Sequence, residues 1–372
     1  MRIYIKLIAV ILITALILPM SFTSCGYRSK YDTVMEYNGI KLTEEFYNYW
    51  MATFKRNILA SYTDAEDTDE FWSSKFDETR TVEEYFTEIL NKEIMNYLIS
   101  QDLYKKNSLK LSSSTKKAIK NDIEEKIEFY GGRGSLNSTL SKMMLNIDAL
   151  EQIYLWEAKH DYVYSYMFGQ NGPLEITDDV LIEYYQENYY RIKYVVFYTT
   201  DIAVDEDGNY VYDDRGELVS KPLSSEALEK KMQKINEFKT KLEGGTDFDT
   251  LIKDYSEYDT SSYPDGFFVS ENDIDIWGPE ILKAVINGKE GEVVTVTEDE
   301  SVFYVQICKL TPFEELTDAD ITQLTNLKFT EHATRKVYND FYEQLSAKVK
   351  INTKVMNRYK LSKIKPNPHY SI

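Results

Sequence analysis

The sequence predicts a mixed α+β protein, in which a long helical region precedes a smaller unit with an antiparallel sheet. Residues 43–168 place apolar side chains at helical spacing in several successive segments. Residues 192–310 have the order strand, helix, helix, short helix, strand, strand, which is typical of α+β units. The chain has 372 residues, 43% of them hydrophobic and 14% aromatic, which is enough for two buried cores.

Charge and composition exclude several classes of function. The chain has 43 Lys plus Arg against 62 Asp plus Glu, a formal charge of -19, which argues against nucleic acid as a partner. With 3 His, 2 Cys and 31 Tyr, it has neither a disulfide framework nor a zinc-finger array. We therefore expect no metal site and no cofactor.

The first 24 residues have the pattern of a secretory signal peptide. Basic Arg2 and Lys6 precede an apolar run that is too short to span a bilayer. Small residues then lead to Cys25, an arrangement that resembles the bacterial lipobox, although Phe22 departs from the usual aliphatic residue. The resemblance implies a diacylated Cys25, a tether over 25–33 and a location on the outer face of the cytoplasmic membrane. The alternative is ordinary secretion with Cys25 free.

The next segment, 34–188, is predicted to be an N-terminal helical domain. Asn38-Gly39 between two alternating runs predicts a hairpin, and Thr43 is placed to cap the helix that follows. Further helices are predicted over 82–103, 114–129, 136–166 and 180–189.

Residues 201–222 are acidic and rich in turns, which predicts a surface hairpin insertion. Asp205, Asp207 and Asn209 imitate the opening of a calcium loop. However, the glycine comes too early, and Gly216 occupies the position where the loop needs Glu.

The α+β unit follows the first strand, predicted over 192–198. One helix has an apolar stripe from Leu228 to Leu242 and ends at Gly244-Gly245, and a second begins at Thr246 or Asp247. A short helix over 279–286 and strands over 291–296 and 301–310 complete the unit.

Six short segments occur in the order and spacing of a parvulin domain, the PpiC-type or rotamase module of peptidyl-prolyl cis/trans isomerases. They are IKYVV (192–196), LEGGTDF (242–248), DYS (254–256), DGFF (265–268), GEV (291–293) and VFYV (302–305). The flanks resemble the lipoprotein foldases of the SurA and PrsA family. That resemblance implies a parvulin-like domain over 189–312 and a chaperone domain built from both chain ends, with 313–360 packing on the N-terminal helices and 361–372 as a tail.

The resemblance also implies a site. Parvulins keep two histidines, a Cys or Asp, and an apolar proline pocket, because rotation about an X-Pro bond breaks no bond and needs only a slot and polar groups around the twisted amide. The histidine positions fall on Tyr194 and Tyr304, and the Cys or Asp position falls on Tyr258 or Asp259. The family's Met and Phe pocket positions fall on Trp277 and Ile281, and Phe267 and Phe268 are expected to complete the proline slot.

Two interpretations of the tyrosines stay open at this point. Tyr194 and Tyr304 could pair through their hydroxyls and hold the same network, or they could be two strand aromatics that face each other across a sheet. A phenol that titrates near 10 cannot replace an imidazole at neutral pH.

The remaining features have simpler interpretations. His160, His332 and His369 are predicted on helix surfaces or in the tail, and Cys308 as a buried small hydrophobe. The basic run over 348–365 could contact anionic headgroups, but a solvated strand and tail is the favoured interpretation, with 349–355 pairing with the segment at Val34.

Taken together, these patterns predict an extracytoplasmic foldase or chaperone that binds newly translocated, unfolded polypeptides. Its isomerase activity is expected to be weak or lost, since both family histidines are tyrosine. The alternatives are an active isomerase with a rebuilt site and, more remotely, a surface lipoprotein scaffold.

Overall fold

The computed structural model describes residues 29–61, 66–205, 207–213, 216, 218–298 and 300–367. The chain forms two compact units. The first combines the residues up to 166 with those from 342 onward, and the second comprises 167–341. This confirms the predicted α+β class, with a helical domain made from both chain ends and a second domain around a small antiparallel sheet.

A three-stranded sheet joins the two ends of the chain in the first unit. Strands β1 (Thr33–Tyr37) and β2 (Ile40–Thr43) form the predicted hairpin, and both turn residues, Asn38 and Gly39, have positive φ values of 48° and 81°. Strand β9 (Lys350–Ile351) pairs with β1 on its other side, which confirms the predicted pairing, but the strand predicted over 349–355 is limited to these two residues.

Among the described residues of the N-terminal part there are six helices, the last of which continues into the second unit. They are α1 (Glu44–Ser61), α2 (Asp69–Ser73), α3 (Val82–Lys106), α4 (Ser113–Phe129), α5 (Arg133–Ser141) and α6 (Ile147–Phe168). The prediction of one helix over 136–166 is wrong. Met144 has a positive φ of 68° in the break, and the Asn146 side chain accepts the Ala149 N–H at 2.7 Å, which starts a new helix.

The end of the chain packs on the first unit. After the short helix α14 (Thr353–Met356), Leu361 is fully buried and the Asn367 N–H donates to the Ala52 carbonyl at 2.9 Å. Lys363 Nζ lies 2.7 Å from an Asp69 carboxylate oxygen. The prediction of a solvated tail is therefore wrong for the segment up to residue 367, because Leu361 is buried and Arg358 and Lys363 pair with carboxylates, while Lys360 and Lys365 are exposed.

The second unit is built on a four-stranded antiparallel sheet in the order β6-β3-β8-β7. The strands are β3 (Tyr190–Tyr198), β6 (Phe267–Val269), β7 (Val293–Glu298) and β8 (Ser301–Cys308), and a separate pair consists of β4 (Thr200–Ile202) and β5 (Ser220–Pro222). The helices are α7 (Asp178–Asn188), α8 (Ser225–Glu243), α9 (Phe248–Tyr255), α10 (Ile274–Trp277), α11 (Pro279–Asn287), α12 (Asp318–Asn326) and α13 (Phe329–Ser346), the last of which ends in the first unit.

Strand register separates the sheet into two different faces. Tyr194 pairs with Val305, and Val195 pairs with Tyr304. Because side chains alternate along a strand, Tyr194 and Tyr304 project from opposite faces. One face packs Tyr194 with residues of α11, and the other packs Tyr304 with residues of α8 and α9.

A buried ion pair fixes α12 to the sheet. Arg191 on β3 and Asp320 on α12 are 4% and 5% exposed, and Arg191 Nη2 lies 2.7 Å from Asp320 Oδ1. The guanidinium also donates to the Asp265 carbonyl at 2.7 Å and lies over the Phe268 ring. Both charges are therefore paired and hydrogen-bonded, as buried ions require.

Candidate functional site

A groove lies along one edge of β3, beyond the point where β6 ends, while the other edge is paired with β8 over residues 191–198. β6 pairs only with residues 190–192, so the edge beyond them is taken by the loop after α9. In this loop the Glu257 N–H donates to the Val196 carbonyl at 3.0 Å, and the Glu257 carboxylate accepts the Tyr198 N–H at 2.8 Å. The loop returns to the sheet at Gly266, where φ is 98° and a Cβ would collide with the Ile192 carbonyl.

The groove encloses a cavity of about 520 Å³. Its walls come from β3, α9 and the loop to β6. The lining side chains include four predicted site residues, Tyr194, Tyr258, Asp259 and Phe267. The others include Lys193, Asp249, Ile252, Lys253, Glu257 and Tyr263.

Tyr194 is the centre of an aromatic cluster at the base of this groove. Its ring centroid lies 5.4 Å from Phe267, 5.6 Å from Trp277, 5.9 Å from Phe303 and 6.2 Å from Tyr258. Tyr194 is 7% exposed and Tyr258 is 50% exposed, so the cluster runs from the core to the surface. Edge and offset contacts of this kind are the favoured geometries of aromatic pairs.

Trp277 is held in place by the turn that follows it. Gly278 adopts a φ of 75°, and a Cβ there would collide with the Glu298 side chain. That carboxylate accepts the Glu280 N–H at 2.8 Å at the start of α11. The glycine and the cap together fix the end of α10, and with it the indole beside Tyr194.

The charges around the groove are already engaged. Lys193 Nζ lies 2.6 Å from Asp249 Oδ1, and Lys231 Nζ donates to the Glu257 carboxylate at 2.6 Å. Asp259 accepts hydrogen bonds from Ser261, which hold the pKa of its carboxyl below the usual value. The rim is therefore charged but largely self-paired, while the base is aromatic.

Burial raises the pKa of the Tyr194 hydroxyl above its ordinary value, and neighbouring Tyr258 adds to the effect. The phenol therefore stays neutral at physiological pH. No histidine lines the cavity within the described residues. The base of the groove has no group that titrates near neutrality.

Tyr304 does not belong to this site. It is 2% exposed on the opposite face, with its ring 4.5 Å from Phe238 and 6.1 Å from Phe197. Its buried hydroxyl has no hydrogen-bond partner within the described part of the chain. The proposed pairing of the Tyr194 and Tyr304 hydroxyls is wrong, and the two rings do not face each other either, because they are one register position apart.

Phe268 and Ile281 are also outside the groove wall. Phe268 follows Phe267 on strand β6, so its side chain projects from the opposite face of the sheet. It is 1% exposed, and its ring centroid lies 5.8 Å from that of Tyr185. Ile281, 2% exposed, lies in the core cluster that also contains Tyr194. Both side chains support the site rather than line it.

Two aromatic residues at the site were not predicted: Phe303 in the cluster around Tyr194, and Tyr263 in the groove lining. Phe303 contacts Tyr194, and the Tyr263 ring lies 4.8 Å from that of Phe267. Phe303 could have been found from the two-residue turn between β7 and β8, because that turn fixes the register and the register fixes the face. Tyr263 is in a loop whose path the sequence pattern does not define.

The other titratable candidates have structural surroundings. In the first unit, His160 Nδ1 lies 2.8 Å from Ser100 Oγ, and burial lowers the pKa of the imidazole to about 4, so the predicted surface position is wrong. Cys308 is half-buried rather than buried, and burial raises the pKa of its thiol. Cys25 and His369 lie outside the described residues.

Membrane spans and metal sites were sought in the described ranges. None of the helices there combines the length and apolar character needed to cross a bilayer. The same ranges contain no group of three or more His, Cys, Asp or Glu side chains suited to a metal ion.

Comparison with known proteins gives structural neighbours only. No protein-family model matches the sequence, and no curated protein does. PrsA from Bacillus subtilis is similar at 17% identity, with 77% of this chain and 93% of that chain covered and a TM-score of 0.22. The foldase PrsA from Streptococcus pneumoniae is similar at 15% identity, with coverage of 76% and 96% and a TM-score of 0.23. A peptidylprolyl isomerase (PrsA) from Bacillus anthracis is similar at 16% identity, with coverage of 71% and 97% and a TM-score of 0.23.

Proposed function

We propose that the protein is an extracytoplasmic foldase of the chaperone type, which binds unfolded polypeptides in the groove at Tyr194. The observation that supports this most is a cavity of about 520 Å³ that Tyr194, Tyr258 and Phe267 line, with Trp277 packed against the Tyr194 ring. These four positions come from three separate stretches of the chain. A purely structural cluster would not need Tyr258 to be half exposed at the mouth.

An aromatic groove favours extended segments that contain proline. Proline rings pack against aromatic faces, and a preformed extended backbone loses little entropy on binding. Tyrosine and tryptophan supply a large contact area with few rotatable bonds. Since Lys193 is paired with Asp249 and Glu257 with Lys231, the apolar base contributes most to recognition.

We propose that isomerase activity is weak or lost. Catalysis requires groups that bind the twisted amide more tightly than the planar one. Tyr304 faces the other core, Asp259 is held by Ser261, and the Tyr194 phenol is buried and neutral. One observation favours the alternative of a rebuilt active site, since the exposed Tyr258 stacks beside Tyr194 and its hydroxyl could donate a hydrogen bond.

Titration of a labelled, unfolded, proline-containing polypeptide tests the binding role. Tyr258→Ala should weaken binding about tenfold, which is typical when an aromatic anchor is removed. Phe129→Ala is the matched control, because Phe129 is an 80% exposed aromatic in the first unit. Equal affinity of all three proteins, or equal losses in both variants, would contradict the role of the groove.

We further propose that Cys25 is lipidated and tethers the protein to the outer face of the membrane. The proposal depends on the sequence pattern before Cys25. In cells, Cys25→Ser should release the protein into the medium. Unchanged membrane association of that variant would rule out lipidation as the tether.

A further inference from the structure

A second surface lies outside the groove, on the insertion between β3 and α8. We refer to residues 200–222 as the arm. In the arm, β4 pairs with β5, and bridges join Val204 to Tyr210 and Tyr212 to Leu218. In its described residues, the arm is therefore hydrogen-bonded within itself.

Three backbone hydrogen bonds join the segments of the arm around Ala203, Val211 and Val219 to one another. The Ala203 N–H donates to the Val219 carbonyl at 2.7 Å, and the Val219 N–H donates to the Val211 carbonyl at 2.9 Å. The Val211 N–H donates to the Ala203 carbonyl at 3.0 Å. Because these hydrogen bonds fix the backbone of the arm, the side chains at these positions have defined directions.

The arm exposes an unusual share of apolar side chains. Ile202, Val204, Tyr210, Tyr212 and Leu218 are between 39% and 58% exposed. Single exposed apolar residues need no explanation, but five on one short insertion form a candidate contact surface.

The charge of the arm selects among possible partners. Residues 201–222 contain seven acids, Asp201, Asp205, Glu206, Asp207, Asp213, Asp214 and Glu217, against two bases, Arg215 and Lys221. The net charge is therefore 2 - 7 = -5 within a chain whose total is -19. This field repels nucleic acid and anionic membranes, and it disfavours a second copy of the same acidic chain.

We propose that the arm is a docking site for polypeptide segments that combine Lys or Arg with apolar residues. Tyr210 and Tyr212 are exposed aromatic side chains that a cationic side chain can contact, and exposed Asp201, Asp205 and Asp207 supply complementary charge. The arm also begins beside the groove, since the Tyr198 N–H that precedes it bonds to Glu257 of the groove lining. A long client can contact both surfaces, but the arm does not require proline.

The test uses the full chain and two labelled, proline-free peptides with the same Leu and Tyr content, one with Lys and one with Glu at the charged positions. The Lys peptide should bind, and Tyr210→Ser combined with Tyr212→Ser should weaken it about tenfold. Both tyrosines are 58% exposed, so the double variant should keep its circular dichroism spectrum. Asp201→Asn with Asp207→Asn should reduce the salt dependence while leaving the apolar side chains intact.

Trp277→Ala separates this proposal from the groove, because it should leave binding of the proline-free Lys peptide unchanged. Equal binding of the Glu peptide would overturn the proposal, as would full affinity in the Tyr210/Tyr212 double variant. Self-association of the free chain that disappears in that double variant would assign the surface to a second copy and would also overturn it. So would a requirement for Ca²⁺, since it would make the acids an ion site.

Discussion

The two faces of the sheet in the second unit use the same residue type for opposite purposes. Tyr194 and Tyr304 lie on neighbouring strands, and both are less than 10% exposed. On the Tyr194 face the aromatic cluster continues to the surface through Tyr258 and opens into a cavity. On the Tyr304 face the rings of Phe197 and Phe238 close a sealed core. One register position decides whether a tyrosine belongs to a site or to packing.

We call the Tyr304 face of the sheet the closed face and the Tyr194 face the open face. Truncation of a side chain should lower the free energy of unfolding more on the closed face than on the open face. Phe238 is fully buried against Tyr304 and Phe197. Phe238→Ala should lower the free energy of unfolding by about 3 to 5 kcal/mol, because it leaves a cavity in a packed core. Urea denaturation checks this value. At urea concentrations below the unfolding transition, the affinity of Phe238→Ala for the peptide should remain near that of wild type. A loss of affinity without a loss of stability would contradict the distinction between the two faces.

The buried ion pair beside the sheet should give the next largest effect. Asp320→Asn leaves Arg191 buried with its charge uncompensated, which should cost about 3 kcal/mol. Burial opposes ionisation of Asp320, but hydrogen bonds from Thr317 and Arg191 outweigh it and hold the pKa below its usual value. A lowered folded pKa stabilises the fold above the unfolded value near 4 and loses that stabilisation as pH falls through the folded pKa.

The pH dependence of stability separates this pair from an ordinary carboxylate. When unfolding is measured at several pH values below 5, the free energy of unfolding should fall less steeply with decreasing pH in Asp320→Asn than in wild type. Asp259→Asn is the control, because that carboxyl also has a lowered pKa but is exposed and carries no buried partner. A flattening of the same size in both variants would contradict a special role for the ion pair.

On the open face, truncation should affect binding more than stability. Trp277→Ala removes an edge contact to Tyr194 and one to Phe267, and Trp277 is only partly buried. We expect the affinity for a proline-containing polypeptide to fall at least about tenfold, with a stability loss of about 1 to 2 kcal/mol. Isothermal titration with matched denaturation curves measures both. The reverse pattern would place Trp277 in the core rather than in the site.

The smallest effect is expected from removal of one hydroxyl on the closed face. Tyr304→Phe deletes a buried polar atom that has no partner in the described part of the chain. The change should be neutral or stabilising by up to about 1 kcal/mol, because a buried unsatisfied group carries its desolvation cost. Thermal denaturation detects the shift. Clear destabilisation would reveal a partner that the structure does not show.

Sequence patterns of short range predicted the fold well. The Asn38-Gly39 turn dictated its hairpin, and the alternation over 349–355 predicted the pairing of β9 with β1, but not the helix at Thr353–Met356. The apolar spacing predicted the helices, but not the break at Met144, a residue other than glycine that adopts a positive φ.

The site was predicted only in part, because face and burial depend on register. Tyr194, Tyr258, Phe267 and Trp277 come together, whereas Tyr304 and Phe268 point away. A one-residue difference in register inverts every side chain on a strand, and alignment of short segments does not control for it. The basic end of the chain was misjudged for a different reason: its carboxylate partners, such as Asp69 for Lys363, are about three hundred residues distant in sequence.

Exchange spectroscopy of an X-Pro peptide in the presence of the protein tests the central claim most directly. The claim is that the groove binds proline-containing segments without accelerating their rotation. We expect peptide resonances to shift on binding while the cis/trans exchange stays at its uncatalysed time of tens to hundreds of seconds. Exchange that is accelerated by the wild-type chain and returns to the uncatalysed rate in Trp277→Ala would contradict the claim and establish an active isomerase.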